Sequence, residues 1–169
     1  TEVYVNGDNT LGTLLATLSA GEYISIEGSN FSTQSVSGSN PGGNMYVWTS
    51  KTAFAYQGIG GSNSEANQEL FFVPPLNCET PRVIDNIPQI QHAGTGSATF
   101  AGGITIVAEM GASVEVNGAP ITVAPASVTG NANYITYVLT GLSGNVSLVS
   151  DKQLYVSYYG ANGPASLGG

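Results

Sequence analysis

The sequence predicts an all-β chain, one or more antiparallel β-sandwiches built from two internally repeated halves. Three observations carry that expectation. Short segments rich in Val, Ile, Tyr and Phe alternate with Gly, Asn, Ser and Pro at roughly the 8 to 12 residue spacing of sandwich folds. Helical periodicity is confined to LGTLLATLSAG at 11 to 21, where Gly12, Thr13, Thr17 and the following Ser-Ala-Gly favour a strand and a turn. The text also repeats itself in order. VYVNG at 3 to 7 returns as VEVNG at 114 to 118, LSAGEYISI at 18 to 26 as LSGNVSL at 142 to 148, and SKTAFAYQG at 50 to 58 as SDKQLYVSYYG at 150 to 160. Three ordered echoes imply a duplicated β-unit, an organisation commoner in binding arrays and scaffolds than in single-pocket enzymes.

Taken in order, the expected strands are GEYISIEG, GNMYVWTS, KTAFAYQG, ELFFVPP, GSATFAGG, ITIVAEMG, SVEVNG, YITYVLTG, NVSLVS and KQLYVSYYG. They divide into a first repeat at 1–68, a connecting segment at 69–94 and a second repeat at 95–169. The connecting segment holds Pro74, Pro75, Pro81 and Pro88, four of the eight prolines, and proline cannot donate to a sheet ladder. Its apolar residues Leu70, Phe71, Phe72, Val73, Val83, Ile84 and Ile87 imply a segment packed on the sheets, since a floppy linker is Gly- and Ser-rich. The stretch STQSVSGSNPGG at 32 to 43 reads as a mobile insertion that the second repeat lacks.

Composition sets the class of partner. At 169 residues the chain is long enough to bury a core without disulfides. Charged residues make up 8%, about a third of the usual ~25%. Lys51, Arg82 and Lys152 stand against eleven acids, giving a net charge of -8, so duplex nucleic acid and anionic membranes repel it. No run reaches the ~18 apolar residues of a membrane helix, and no signal peptide opens the chain. Starting inside strand-like text and ending on Gly-Gly, it reads as a segment of something longer. Abundant Tyr, Ser, Gly and Asn is the composition of recognition surfaces; the plainer reading is an extracellular β-protein.

The stretch LFFVPPLNCETPRVIDNIP, followed by GITIVAEMGASVEVNGAPI and YVLTGLSGNVSLVSDKQLYVSYYGANG, resembles the repeat region of large secreted proteins of Bacteroidetes. These are related to the N-terminal domain of the mucin-like IgGFc-binding protein and often carry gliding-motility-type secretion signals. The resemblance covers residues 45 to 163 best, Lys-Gln-Leu-Tyr-Val-x-Tyr-Tyr-Gly being its most distinctive part. It implies a surface-displayed, adhesin-like molecule outside the cell, and it carries no catalytic motif and no ground for Fc binding.

Catalytic signals are absent from the sequence. There is no Gly-x-Ser-x-Gly, His-Glu-x-x-His, paired-cysteine metal spacing or phosphate loop. Cys78, the single cysteine, reads as a small buried hydrophobe, and a Cys78–His92 pair lacks an orienting partner. Glu22, Glu27, Glu109 and Glu115 would face a sugar in pairs only by tertiary accident, and Glu65 and Glu69 are not on clearly helical text. The expectation is a non-enzyme.

Three binding signals remain. Asn6, Asp8 and Asn9, and separately Asp85 with Asn86, are oxygen-rich turns that a calcium ion could use. The plainer reading is turn chemistry, supported by the missing acid in the echo Asn117-Gly118-Ala119-Pro120. Tyr46 and Trp48 alternate on one strand, Phe54 and Tyr56 on the next, and Tyr155, Tyr158 and Tyr159 lie on the repeated counterpart. Alternate residues share a sheet face, so an exposed row of Tyr46, Trp48 and one of Tyr158 and Tyr159 would bind a glycan or a protein. The competing reading places these rings in the core. Lys51 and Lys152 head the repeated strands as edge lysines, with an Asn isopeptide crosslink as the alternative. The sequence thus points to an adhesion or recognition module among neighbouring domains of a larger surface protein, or to a stalk module that spaces such domains and binds nothing.

Overall fold

A nine-residue strand buries its side chains when alternate positions are apolar and aliphatic. In AGGITIVAE at Ala101–Glu109 the residues Ile104, Ile106 and Ala108 are fully buried, while Thr105 and Val107 between them are half-buried. The computed structural model describes residues 1–26, 30, 43–59, 69–76, 79–92, 99–162 and 165–169. Within them the chain is all-β, with several antiparallel sheets and no α-helix.

The strands in chain order are β1 (Glu2–Val5), β2 (Thr13–Thr17), β3 (Val47–Thr49), β4 (Ala55–Ile59), β5 (Glu69–Val73), β6 (Val83–Ile87) and β7 (Ala101–Glu109). They continue as β8 (Val114–Val116), β9 (Ala119–Pro120), β10 (Ala126–Ser127), β11 (Tyr134–Leu142), β12 (Val146–Ser150), β13 (Leu154–Asn162) and β14 (Ala165–Gly168). The chain forms two compact units. The first comprises Thr1–Ala53 and Pro125–Thr136, the second Phe54–Ala124 and Tyr137–Gly169.

In the first unit β1 lies between β2 and β3, with Val3 opposite Ala16 and Thr49. Val3 and Val5, two apart, are buried together, as are Ile135 and Thr136. β10 pairs with Ile135 and Thr136, the start of β11. Asn44 donates from Nδ2 to the Ser127 carbonyl (3.0 Å) and the Thr136 hydroxyl (2.8 Å).

In the second unit β7 lies between β11 and β13, and β14 follows β13 at the edge. β13 and β7 pair from Leu154↔Ala108 to Ala161↔Ala101. A second sheet runs β6-β12-β8-β9, and a third is the β4–β5 pair. The fully buried side chains come from both large sheets: Ile104, Ile106 and Leu154 from one, Val146 and Leu148 from the other. That is the sandwich-like arrangement in which two sheets supply one core.

The echoes do not occupy equivalent places. Asn6 and Asn117 do share left-handed backbones, at φ 56 and 51, the conformation Asn tolerates best after Gly. Yet Asn117-Gly118 is a two-residue hairpin turn joining β8 to β9, since Val116 pairs with Ala119. After Asn6-Gly7 the chain instead makes a longer turn before Thr13 pairs with Val5. Residues 22–26 of LSAGEYISI form no strand, and Tyr23 is 88% exposed, whereas LSGNVSL enters β12. Among the described residues β4 pairs with β5 alone, while β13 is held on both edges. The expected strand GEYISIEG is therefore corrected as far as it is described.

The expected boundaries differ too. The first cut falls between Ala53 and Phe54 instead of after residue 68, and residues 125–136 return to the first unit. The proline-rich segment 69–94 contains two strands, β5 and β6, that pair with β4 and β12. Its prolines delimit strands instead of interrupting them: Pro74 and Pro75 follow Val73, Pro81 stands two residues before β6, and Pro88 follows Ile87. A missing N–H costs nothing just outside a ladder. Residues 32–42 of the insertion, and Cys78, Glu27 and Glu65, lie outside the described residues.

Candidate ligand-binding surface

The β4–β5 pair projects a row of apolar side chains that the rest of the described structure does not cover. Tyr56 stands directly opposite Phe72, and Gly58 opposite Leu70, so opposed residues share a face; Phe54, two before Tyr56, joins them. Phe54 is 81% exposed, Leu70 74%, Tyr56 61% and Phe72 47%. The Tyr56 and Phe72 rings meet edge to face at 5.9 Å and 67°, and Phe54 tilts against Phe72 at 6.3 Å and 57°. Glycine at position 58 leaves room there, the Leu70 Cδ2 lying 3.5 Å from where a Cβ would be. Phe71, on the opposite face, is half-buried. Isolated apolar residues on a surface are ordinary, but here the aromatic rings touch one another and stay exposed.

The residues expected to form the site belong to different compact units. Tyr46 and Trp48 lie in the first unit, Tyr158 and Tyr159 in the second. Trp48, on β3, is half-buried opposite Tyr4 of β1, the rings edge to face at 5.7 Å and 68°. Tyr46 is also half-buried, and its carbonyl accepts the Asn6 amide at 2.8 Å. Tyr158 and Tyr159 occupy opposite faces of β13, and both are half-buried. Tyr159 covers Gly103, where a Cβ would fall 2.5 Å from the ring, and burial raises its phenol pKa above the ordinary value. Tyr158 lies against Gly169 and exchanges backbone hydrogen bonds with it at 2.8 and 3.1 Å. Each ring lies across a glycine and keeps part of its surface in solvent. The row was legible at Phe54 and Tyr56; Phe72 and Leu70 were read as packing residues of a connector, since LFFV looks the same in a core and on an open face.

Asp8 closes its own turn. One carboxylate oxygen, Oδ1, accepts the Thr10 hydroxyl at 2.5 Å, the Thr10 amide at 2.9 Å and the Leu11 amide at 3.2 Å; its carbonyl accepts the Gly12 amide at 2.7 Å. The Thr10 hydroxyl, then its amide, holds the carboxyl below the usual carboxylate range. Asp85 is exposed on β6, in the other unit. Among the described residues no three His, Cys, Asp or Glu side chains converge as metal ligands would. Of the carboxylates considered for catalysis, Glu22 accepts the Ser19 amide at 2.7 Å, and Glu109 lies 3.9 Å from Lys152. Lys152 also donates to the Met110 carbonyl at 2.7 Å, and Lys51 is exposed. His92 is exposed, bridging to Thr99.

Fold and surface together define an all-β chain presenting an aromatic face from a two-stranded sheet. No protein-family model, curated protein or solved structure matches it.

Proposed function

We propose that this chain is a recognition module of a secreted, surface-displayed bacterial protein, and that it docks its ligand on the face formed by Phe54, Tyr56, Leu70 and Phe72. The observation that carries the reading is the exposure of these four contiguous residues. Interface hot spots favour aromatic anchors surrounded by groups that exclude water. The extracellular setting rests on the resemblance to the Bacteroidetes repeat region and on the low-charge composition rich in Tyr, Ser, Gly and Asn. The adhesin-like role, within a larger chain of neighbouring domains, follows from the same two supports.

The test is a glycan and host-protein binding screen, with and without calcium, on the wild type and on Phe54→Ser/Tyr56→Ser/Phe72→Ser. Binding that the triple variant loses while its thermal transition stays in place supports the reading. Equal binding by both proteins moves the site elsewhere. A blank screen makes the chain a spacing module of a stalk.

A further inference from the structure

Resting on that reading, we infer that the occupant of the aromatic face is a protein segment with apolar anchors and a cationic rim. The ring geometry, the single polar group and the net charge favour this occupant over a glycan or a second copy. A sugar ring stacks on a flat platform and brings hydroxyls that need partners once desolvated. Here the rings stand at 67° and 57° to one another, and the Tyr56 hydroxyl is the one polar side-chain group among Phe54, Tyr56, Leu70 and Phe72. Apolar side chains of a protein fit such steps between rings and demand no hydrogen bonds.

A second copy of this chain would bring its own charge of -8 against the same charge, and like fields oppose association. A cationic partner meets the reverse. In the second unit Glu79, Asp85, Glu115 and Asp151 are accompanied, among the described residues, by Arg82 and by Lys152, which already lies beside Glu109. The face itself is uncharged, so the acids supply long-range attraction while the rings supply contact. This division gives fast, salt-sensitive association and slower release.

The experiment uses two synthetic peptides with one and the same aromatic and leucine core, one flanked by lysines and the other by glutamates. Binding is measured by calorimetry at low and high salt. The lysine-flanked peptide is expected to bind at least tenfold more tightly, with the preference shrinking as salt takes the screening length from ~30 Å at 0.01 M to ~3 Å at 1 M. Phe54→Ser/Tyr56→Ser/Phe72→Ser should abolish binding and Phe72→Leu should keep it. Equal affinity for both peptides, lost in the triple variant, overturns the cationic rim but leaves recognition by the face intact. Binding of neither overturns the protein partner: a glycan found by the screen on the same face would then preserve the proposed function, and a blank screen would remove both. Dimerisation that the triple variant abolishes assigns the face to a second copy and overturns the inference.

Discussion

Gly130 sits at φ 80, and a Cβ there would fall 2.3 Å from the Asn6 carbonyl carbon and oxygen. An L side chain in this conformation costs roughly 1–2 kcal/mol, and the backbone of Asn6 must shift as well. Gly130→Ala is expected to destabilise by at least that much, read as a lower denaturant midpoint; an unchanged midpoint would show that the 125–136 segment packs differently. Asp8 makes a pH-dependent contribution of definite sign. Its folded pKa lies below its unfolded value, so its stabilisation is fully present above the unfolded pKa of about 3.9. It is lost as pH falls through the lower, folded value. Comparing wild type with Asp8→Asn between acid and neutral pH should show the wild-type advantage at neutrality vanishing in acid. Because Oδ1 is already committed to Thr10 and Leu11, calcium added after EDTA is expected to leave the melting transition where it was. An upward shift would mean that a calcium ion is bound.

At the scale of elements, the β4–β5 pair is apolar where a strand of the core would be, yet open. Replacing Phe54, 81% exposed, by Ser should change folding stability by about 1 kcal/mol or less, because little burial is lost. Leu148→Ala, at a fully buried position of β12, should cost about 2–5 kcal/mol; chemical denaturation of both variants checks the contrast. The same contrast explains what was legible beforehand. Alternation located β11, β12 and β13 because their faces differ in residue type, whereas GSATFAGG and ITIVAEMG, expected as two strands, meet within the single strand β7. The β-branched and turn residues around LGTLLATLSAG outweighed its leucine spacing, and β2 formed there. GEYISI carries the right residue types but made no strand over residues 22–26; propensity describes fitness for a pleated surface without supplying a partner. Proline was read as a sign of connection, when its position just outside β5 and β6 made it a boundary marker. Which face of KTAFAYQG meets solvent was hidden, since strand periodicity fixes which residues share a face and says nothing of what covers it. What Tyr159 lies across was hidden for a related reason, since Gly103 is far away in sequence.

For the molecule as a whole, the short repeats turned out to report local conformation. Val-x-Val-Asn-Gly specifies a strand ending in a left-handed Asn, and the chain uses that device in two different settings. The all-β class was secure because it depends on the sum of many local preferences, whereas the two-halves organisation depended on pairing between distant segments. The first unit recruits Pro125–Thr136 from the far side of the second unit's first segment. Order of synthesis and order of completion are therefore out of step. A ribosome adding ~5–20 residues per second delivers Val3 and Val5 early, then takes on the order of 10 s to make the intervening segment before Ile135 emerges. Val3 and Val5 therefore wait for a late segment to complete their unit, and a fragment ended anywhere before Pro125 would lack that segment altogether.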